Sequence, residues 1–244
     1  MNPDDADAPV ALITGAARGL GLEVACQLAD TGAQVWIASR KPEHATEAAQ
    51  HHPGLHALPH GLDLTAPDTV DVCAAALADN PGRLDILVNN AAAYVDWTEQ
   101  ATSADLDAAR RVFDVNLFGT WRLTQALLPL LRRSPHPRIV NISSGAGSHA
   151  DPQFGLTARK GAAASYGISK AAVNALTATL AAELADTSVV VNAVCPDLTA
   201  TWPGAETMGA RSVQDSAQGV VWAATLPDNG PRGGFFRDTA PLAW

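Results

Sequence analysis

Short apolar runs alternate with helically spaced segments from one end of this 244-residue chain to the other. The runs are "PVALIT" (9–14), "QVWIAS" (34–39), "LHALPHGLD" (55–63), "LDILVNN" (84–90), "PRIVNIS" (137–143), "SVVVNAVC" (188–195) and a last "GGFF" (233–236). Few of them show the in–out alternation of a half-exposed strand. Continuous apolar strands are expected when helices cover both faces of a parallel sheet. Helical spacing fills the gaps at 20–32, 42–52, 66–79, about 103–132, 163–185 and near 212–224. Gly32 ends the first of these as a C-cap, and Pro42 opens the second in the first turn. The pattern predicts an α/β chain: one Rossmann-type, doubly wound parallel sheet over residues 1–244, with 1–8 flexible. Ligands of such a sheet bind at the carboxyl ends of its strands.

Charge narrows the partners. The formal net charge is -9 and no basic stretch exceeds a pair, which argues against nucleic acid and anionic membranes. No apolar run approaches the length of a membrane span. The "MNPDDADAP" start has no apolar core of a signal peptide. The three cysteines, Cys26, Cys73 and Cys195, are scattered in apolar contexts. They read as small buried hydrophobes in a reducing compartment, so a cytoplasmic protein is expected. His51, His52, His56 and His60 cluster, but they lie where a helix end runs into a strand and no cysteine is close, so no metal site is expected.

"ITGAARGLG" joins the first strand to the first helix. Gly15, Gly19 and Gly21 allow a tight turn and close backbone approach, and the helix N-terminus offers free N–H groups to a phosphate. The alternative is a tight turn without a ligand; its place between strand and helix favours the cradle. A carboxylate ending the second strand would bind a ribose 2′-hydroxyl. That end instead reads Ser39, Arg40, Lys41, with Arg18 inside the glycine loop. Those cations suit a 2′-phosphate and hence NADP(H), unless they are merely solvated loop charges. Asp63 either accepts from the adenine amino group or caps the helix after Leu64.

"SYGISKAAVN" places Tyr166 four residues before Lys170, on one helical face. A nearby ammonium lowers a phenol pKa, so the pair reads as a tunable acid/base. "ISS" ends the fifth strand at Ser143 and Ser144, "NNA" ends the fourth at 89–91, and Asn116 sits inside a long helix.

Together, "TGAARGLG", "NNA", Asn116, "ISS", "YGISK" and "CP" at 195–196 resemble the classical short-chain dehydrogenases/reductases over nearly the whole chain. Arg18, Arg40 and the ending "GGFFRDTAPLAW" look most like the NADPH-dependent carbonyl-reductase branch. The resemblance implies a catalytic group of Asn116, Ser144, Tyr166 and Lys170, with Ser143 turned to the other face. It implies cofactor contacts from Gly15, Ala17, Arg18, Gly19, Leu20 and Gly21, then Ser39, Arg40, Asp63, Leu64, Asn90 and Ala91, and finally Tyr166, Lys170, Pro196 and Thr201. In the implied reaction NADPH reduces a ketone or aldehyde to an alcohol: Tyr166 protonates, Ser144 orients the carbonyl, Lys170 lowers the phenol pKa and Asn116 positions a water. The resemblance also implies a homodimer or homotetramer.

The departures lie around the substrate. Ala92 and Asp197 stand where the family usually has glycine, and a carboxylate at Asp197 is unfavourable near phosphates unless it turns away or meets a cation. "DLTATWPGAETMGARS" replaces a commoner lid. Tyr94, Trp97, Phe154, Asp197 and Trp202 are candidate pocket residues. A serine-hydrolase reading of Ser144 lacks the G-x-S-x-G turn. Two other readings stay open: a non-catalytic NADP(H)-binding regulatory or scaffold protein, and a reductase of an imine or enone.

Overall fold

The computed structural model describes residues 8–244. The flexible leader expected at 1–8 lies, for 1–7, outside the described residues; Ala8 is tied down, its carbonyl accepting from Arg83 Nη2 at 3.1 Å.

The chain opens with β1 (Val10–Thr14), α1 (Gly19–Asp30), β2 (Gln34–Ala38), α2 (Pro42–Ala49), β3 (Leu55–Ala57), α3 (Pro67–Asp79) and β4 (Ile86–Asn89). A long helical stretch follows, as α4 (Leu106–Phe113), a wider π turn over Asp114–Gly119, and α5 (Thr120–Leu131). Then come β5 (Arg138–Ile142), α6 (Ala164–Glu183), β6 (Val190–Val194), α7 (Val213–Ala224), β7 (Phe235–Arg237) and β8 (Ala240–Pro241).

These strands form one sheet in the order β3-β2-β1-β4-β5-β6-β7-β8. All neighbours are parallel except β7 and β8, which close as an antiparallel hairpin. The unbroken apolar strands have the expected cause. Ala11 and Ile13 of β1 face a cluster built with α1, α2 and α7, through Val24, Leu28, Ala45 and Val220. Leu12, between them, faces Val70, Leu123, Leu127 and Leu176 of α3, α5 and α6. Both faces are therefore core, and each fully buried Leu or Ile stabilises the fold by roughly 2 kcal/mol.

Two predicted boundaries change. The third strand is three residues long, not 55–63. Pro59 has no N–H to donate, so the parallel contacts thin to Leu58 N–H to Ile37 O and Leu62 N–H to Ser39 O. Gly61 is required there, because a Cβ would meet the Arg40 carbonyl oxygen at 2.4 Å. The helix expected at 103–132 starts at Leu106, with Asp105 Oδ1 capping the N–H groups of Asp107 and Ala108.

The strand order reverses between β1 and β4. Their register pairs Ile13 with Val88, which leaves Thr14 and Asn90 side by side at the carboxyl end. Asn90 Nδ2 donates to Thr14 O at 2.8 Å, and the Asn90 and Ala91 N–H groups both donate to Thr14 Oγ1 at 3.0 Å. The start of the same strands is pinned by buried Asp85. It accepts from Val10 N at 2.7 Å and Arg83 Nε at 3.0 Å, and from the Ser134 hydroxyl. Asp85→Ala should cost about 3 kcal/mol, since Val10 and Ser134 lose a charged acceptor in a buried place. Urea unfolding of the variant beside the parent protein measures this.

Candidate active site

A cleft of about 1790 Å³ opens at the carboxyl ends of the strands, and the glycine loop forms one end of it. Gly15 and Gly19 have φ of +65° and +59°, a region that favours glycine. A Cβ on Gly21 would strike Asn90 Nδ2 at 2.5 Å. Arg18 caps α1 with backbone alone and makes no side-chain bond to its first turn. The first-turn N–H groups are thus left to whatever enters the cleft. A narrow backbone cradle at the N-terminus of a twelve-residue helix fits a pyrophosphate. Thr201 closes against it from the opposite side, its Cγ2 3.3 Å from where a Gly19 Cβ would lie.

Every residue expected to contact the cofactor lines this cleft. Arg18 and Arg40 are exposed in it. Asp63 Oδ1 accepts from the Thr65 N–H at 2.9 Å and its hydroxyl at 2.8 Å. Those bonds, with a smaller contribution from Arg40, hold the carboxyl below the usual range. Asp63 therefore caps the turn ahead of α3, whose own N-cap is Ala66.

At the other end, Tyr166 and Lys170 sit on α6, one turn apart and both buried. Ser144 follows β5 and lines the cleft beside Tyr166, its hydroxyl accepting from the Ala146 N–H at 3.1 Å. Lys170 Nζ donates to Ile142 O at 2.7 Å and lies 5.7 Å from the centre of the Tyr166 ring. Ser143 is turned aside, its hydroxyl donating to Asn174 Oδ1 at 2.5 Å. Asn116 lies in the π turn, behind the cleft. Its Oδ1 accepts from Ala93 N at 2.7 Å, and its Nδ2 donates to Ala93 O and Ser169 Oγ, both at 3.0 Å. The side chain thus clamps the loop after β4 to α6, and reaches Ser169 rather than Lys170.

The electrostatics correct one expectation. Lys170 was expected to lower the Tyr166 pKa. Burial instead raises it well above the ordinary phenol value, with the neighbouring Tyr94 adding to the rise; the nearby Ser144 hydroxyl opposes this and loses. Burial also pushes the Lys170 ammonium down to about 8. Desolvation is the largest cause of both shifts.

Asp197 takes φ +64°, the left-handed region natural to the glycine it replaces and cheaper for aspartate than for most residues. Its Oδ1 accepts from the Leu198 N–H at 2.9 Å. Its charge adds to the raised pKa values of Arg211 and Arg237, whose ion-pair partners are Asp238 and Asp151.

Tyr94, Trp97, Phe154 and Trp202 all line the cleft. Tyr94 stacks on the Tyr166 ring at 5.2 Å, and Trp97 meets that ring edge-on at 5.5 Å. Phe154 lies under the Arg237 guanidinium, 5.8 Å away.

Other groups were not foreseen. Glu99 Oε2 accepts from Ser165 N at 2.8 Å and Ser165 Oγ at 2.6 Å. It supplies the cap that Ala163, at the N-cap of α6, has no side chain to provide. Arg237 Nη2 donates to Asp151 Oδ2 at 2.5 Å and to Cys195 Sγ at 3.4 Å, and the Gly145 N–H also donates to that sulfur. Cys195 and Cys73 are buried as expected, whereas Cys26 is half-buried. The partners of Glu99 and Arg237 lie 66 and 86 residues away, so no local pattern announces them.

The sequence model of the family described as short chain dehydrogenase matches residues 9–208. The chain is 32% identical over 226 residues to the short-chain dehydrogenase anuI of Penicillium roqueforti, covering 89% of this chain and 88% of the relative. Among solved structures it is similar to an NADPH-bound carbonyl reductase from chicken fatty liver, with TM-score 0.82 and 25% identity over 97% of this chain and 99% of that one. It is also similar to a 3-ketoacyl-(acyl-carrier-protein) reductase from Brucella melitensis complexed with NADH, with TM-score 0.81 and 26% identity over 96% and 97%.

The depressed Lys170 pKa carries a stability signature. Folded Lys170 releases its proton near about 8, whereas the unfolded chain keeps it to its ordinary value. Between those values the unfolded state holds more protons, so stability rises with pH. Tyr166, shifted upward, opposes this only above about pH 10. The stability of the parent protein relative to Lys170→Met should grow by about 2 kcal/mol from about pH 8 to about pH 10. Paired urea melts at the two pH values check this; a constant difference would contradict it.

Proposed function

The chain belongs to the short chain dehydrogenases, and from that premise we propose that it is an NADPH-dependent reductase of a ketone or aldehyde carbonyl. The observation that carries the reading is the convergence of Ser144, a buried Tyr166 and Lys170 in the cleft that the glycine loop also lines. A bound nicotinamide cofactor supplies the hydride. The glycine loop and the N-terminus of α1 would hold its phosphates, with Thr201 beside that loop as a further contact.

Tyr166 acts as the acid. As the carbonyl oxygen gains negative charge, the phenol gives it a proton. Its raised pKa keeps that proton in place at working pH and makes the resulting phenolate quick to regain one. Ser144 donates to the same oxygen and fixes the orientation of the substrate. Lys170, one turn away, supports the phenolate that forms for an instant. Asn116 is a positioning residue: it holds the backbone of Ala93 and the Ser169 hydroxyl of α6 in register.

Arg18 and Arg40 support NADPH over NADH, because Ser39 follows β2 where a carboxylate would hold a ribose 2′-hydroxyl. The bound cofactors of the two similar structures differ, so this preference rests on the arginines. Free cysteines and an acidic chain suit the reducing cytoplasm. Leu106, Phe118, Trp121 and Ile168 are large apolar residues left exposed on the α4, π-turn, α5 and α6 surface. We assign that surface to pairing with a second copy, as a homodimer or homotetramer.

NADPH oxidation against a panel of ketones and aldehydes, with NADH in parallel, tests the reading. Tyr166→Phe should lower kcat by about 10²- to 10⁴-fold. NADPH binding should survive that change. Arg40→Ala should raise KM for NADPH about tenfold and leave KM for NADH nearly unchanged. A protein that prefers NADH from the start would sink the arginine assignment.

A further inference from the structure

We infer that Arg237, which lies outside the cleft, is a positioning residue: it holds the Phe154 wall at a set distance from Ser144 and so favours carbonyl compounds that reach from one to the other. The inference rests on the carbonyl-reductase reading and adds a specificity-determining residue to it.

Arg237 ends β7 and does not line the cleft, whereas Phe154 is half-buried and does. The link between them is Asp151, whose side chain is only 1% exposed. Each of its oxygens has its own task. Oδ2 accepts from Arg237 Nη2, and Oδ1 accepts from the Gln153 and Phe154 N–H groups, both at 2.9 Å. Burial alone would raise the Asp151 pKa, but those two N–H groups and Arg237 outweigh it and keep the carboxyl below the usual range. A charged carboxylate therefore ties the Phe154 backbone to the end of β7. The Arg237 guanidinium also lies 5.8 Å from the centre of the Phe154 ring, so it supports the side chain as well as the backbone.

The same ion pair packs against the residue after Ser144. A Cβ on Gly145 would meet Arg237 Nη2 and Asp151 Oδ2, each at 2.5 Å. The pair thus stands between Ser144 and Phe154 and spaces them. Ser144 has its own supports: the Gly145 N–H donates to Cys195 Sγ at 3.1 Å, and the Gly147 N–H to Ser144 O at 2.9 Å. The Phe154 loop leans instead on the C-terminal segment. Ser148 Oγ donates to Ala243 O at 2.7 Å, just beyond β8, and Trp244 stacks on Phe235 of β7 at 5.5 Å. That grip is at the start of the loop, and Arg237 supplies the one beside Phe154. Without the guanidinium, Asp151 would be a buried charge with no counterion. Its carboxylate would turn toward water and take the Phe154 backbone with it, while Ser144 stayed in place.

The test uses the full chain with cyclohexanone and 4-tert-butylcyclohexanone, which differ in reach. Arg237→Met should raise KM for the larger ketone about tenfold, and should leave KM for cyclohexanone, kcat for both ketones and the Kd for NADPH within about twofold. Because Arg237→Met strands a buried carboxylate, Asp151→Asn/Arg237→Met, which leaves no charge behind, is measured beside it and should show the same change. Arg237→Lys, which keeps a charge toward Asp151, should restore most of the lost affinity. A merely structural role would shrink the folded fraction, lowering kcat for both ketones and leaving both KM values alone; that result, with reduction intact, would overturn this inference and uphold the reductase reading. An equal rise in KM for both ketones would also overturn it. Calorimetric binding of the two ketones to the same variants needs no turnover. The expected pattern seen as affinities, in a protein that reduces no ketone or aldehyde, would uphold the role of Arg237 and overturn the reductase reading. Failure of both ketones to bind would overturn this inference.

Discussion

A phenol and an ammonium, one helical turn apart, are taken out of water together in this protein, and much of the surrounding structure offsets that cost. Lys170 finds the Ile142 carbonyl, and the Tyr166 ring is covered by Tyr94 and Trp97. Ser143, the neighbour in sequence, bonds instead to Asn174 on α6 and so fastens the end of β5 to that helix. Deeper in, Asn89 donates to Asn141 at 2.8 Å, and Asn141 donates to Thr177 at 2.9 Å, linking β4, β5 and α6 through buried amides. Buried polar groups that are partnered in this way fix relative positions more sharply than apolar packing does. A shift of α6 would break several of these bonds together.

The same logic extends to the two loops that carry the remaining functional groups. The glycine loop is fastened to the end of β4 through Asn90 and Thr14, at the point where the strand order reverses. The loop after β4 is fastened to α6 at Ala93 and at Glu99. A single strand end thus feeds both halves of the cleft. The proposed chemistry asks for one hydride source and one proton source at a fixed separation. A rigid β4 terminus between the two meets that demand.

The sheet and its helices were legible in the sequence because apolar strands and helical spacing are local signals. The cleft residues were legible because glycine, and the Tyr–Lys pair, stand in specific order along the chain. Three kinds of feature were not. The short third strand depends on what Pro59 withholds and on a close approach at Gly61. The direction of the Tyr166 pKa depends on burial, which no spacing reports; an i, i+4 lysine suggests the opposite sign. Glu99 and the Arg237–Asp151–Cys195 group meet across long separations in the chain. Asp197 was legible as a departure, but its left-handed backbone and its bond to the Leu198 N–H were not. Sequence motifs identify chemical groups, whereas their ionisation follows from what is packed around them.

The protonation state of Tyr166 carries the account, and the chain offers a clean way to read it because Tyr94 is the only other tyrosine. Carbon-13 labelling of the tyrosine ring carbon that bears the hydroxyl, followed by NMR across a pH titration, gives two signals, and Tyr94→Phe assigns them. The account predicts that the Tyr166 signal stays in its protonated position beyond the ordinary phenol pKa of about 10 in the protein without added cofactor. Titration of that signal well below this value would mean that the ammonium outweighs burial, and would contradict the account.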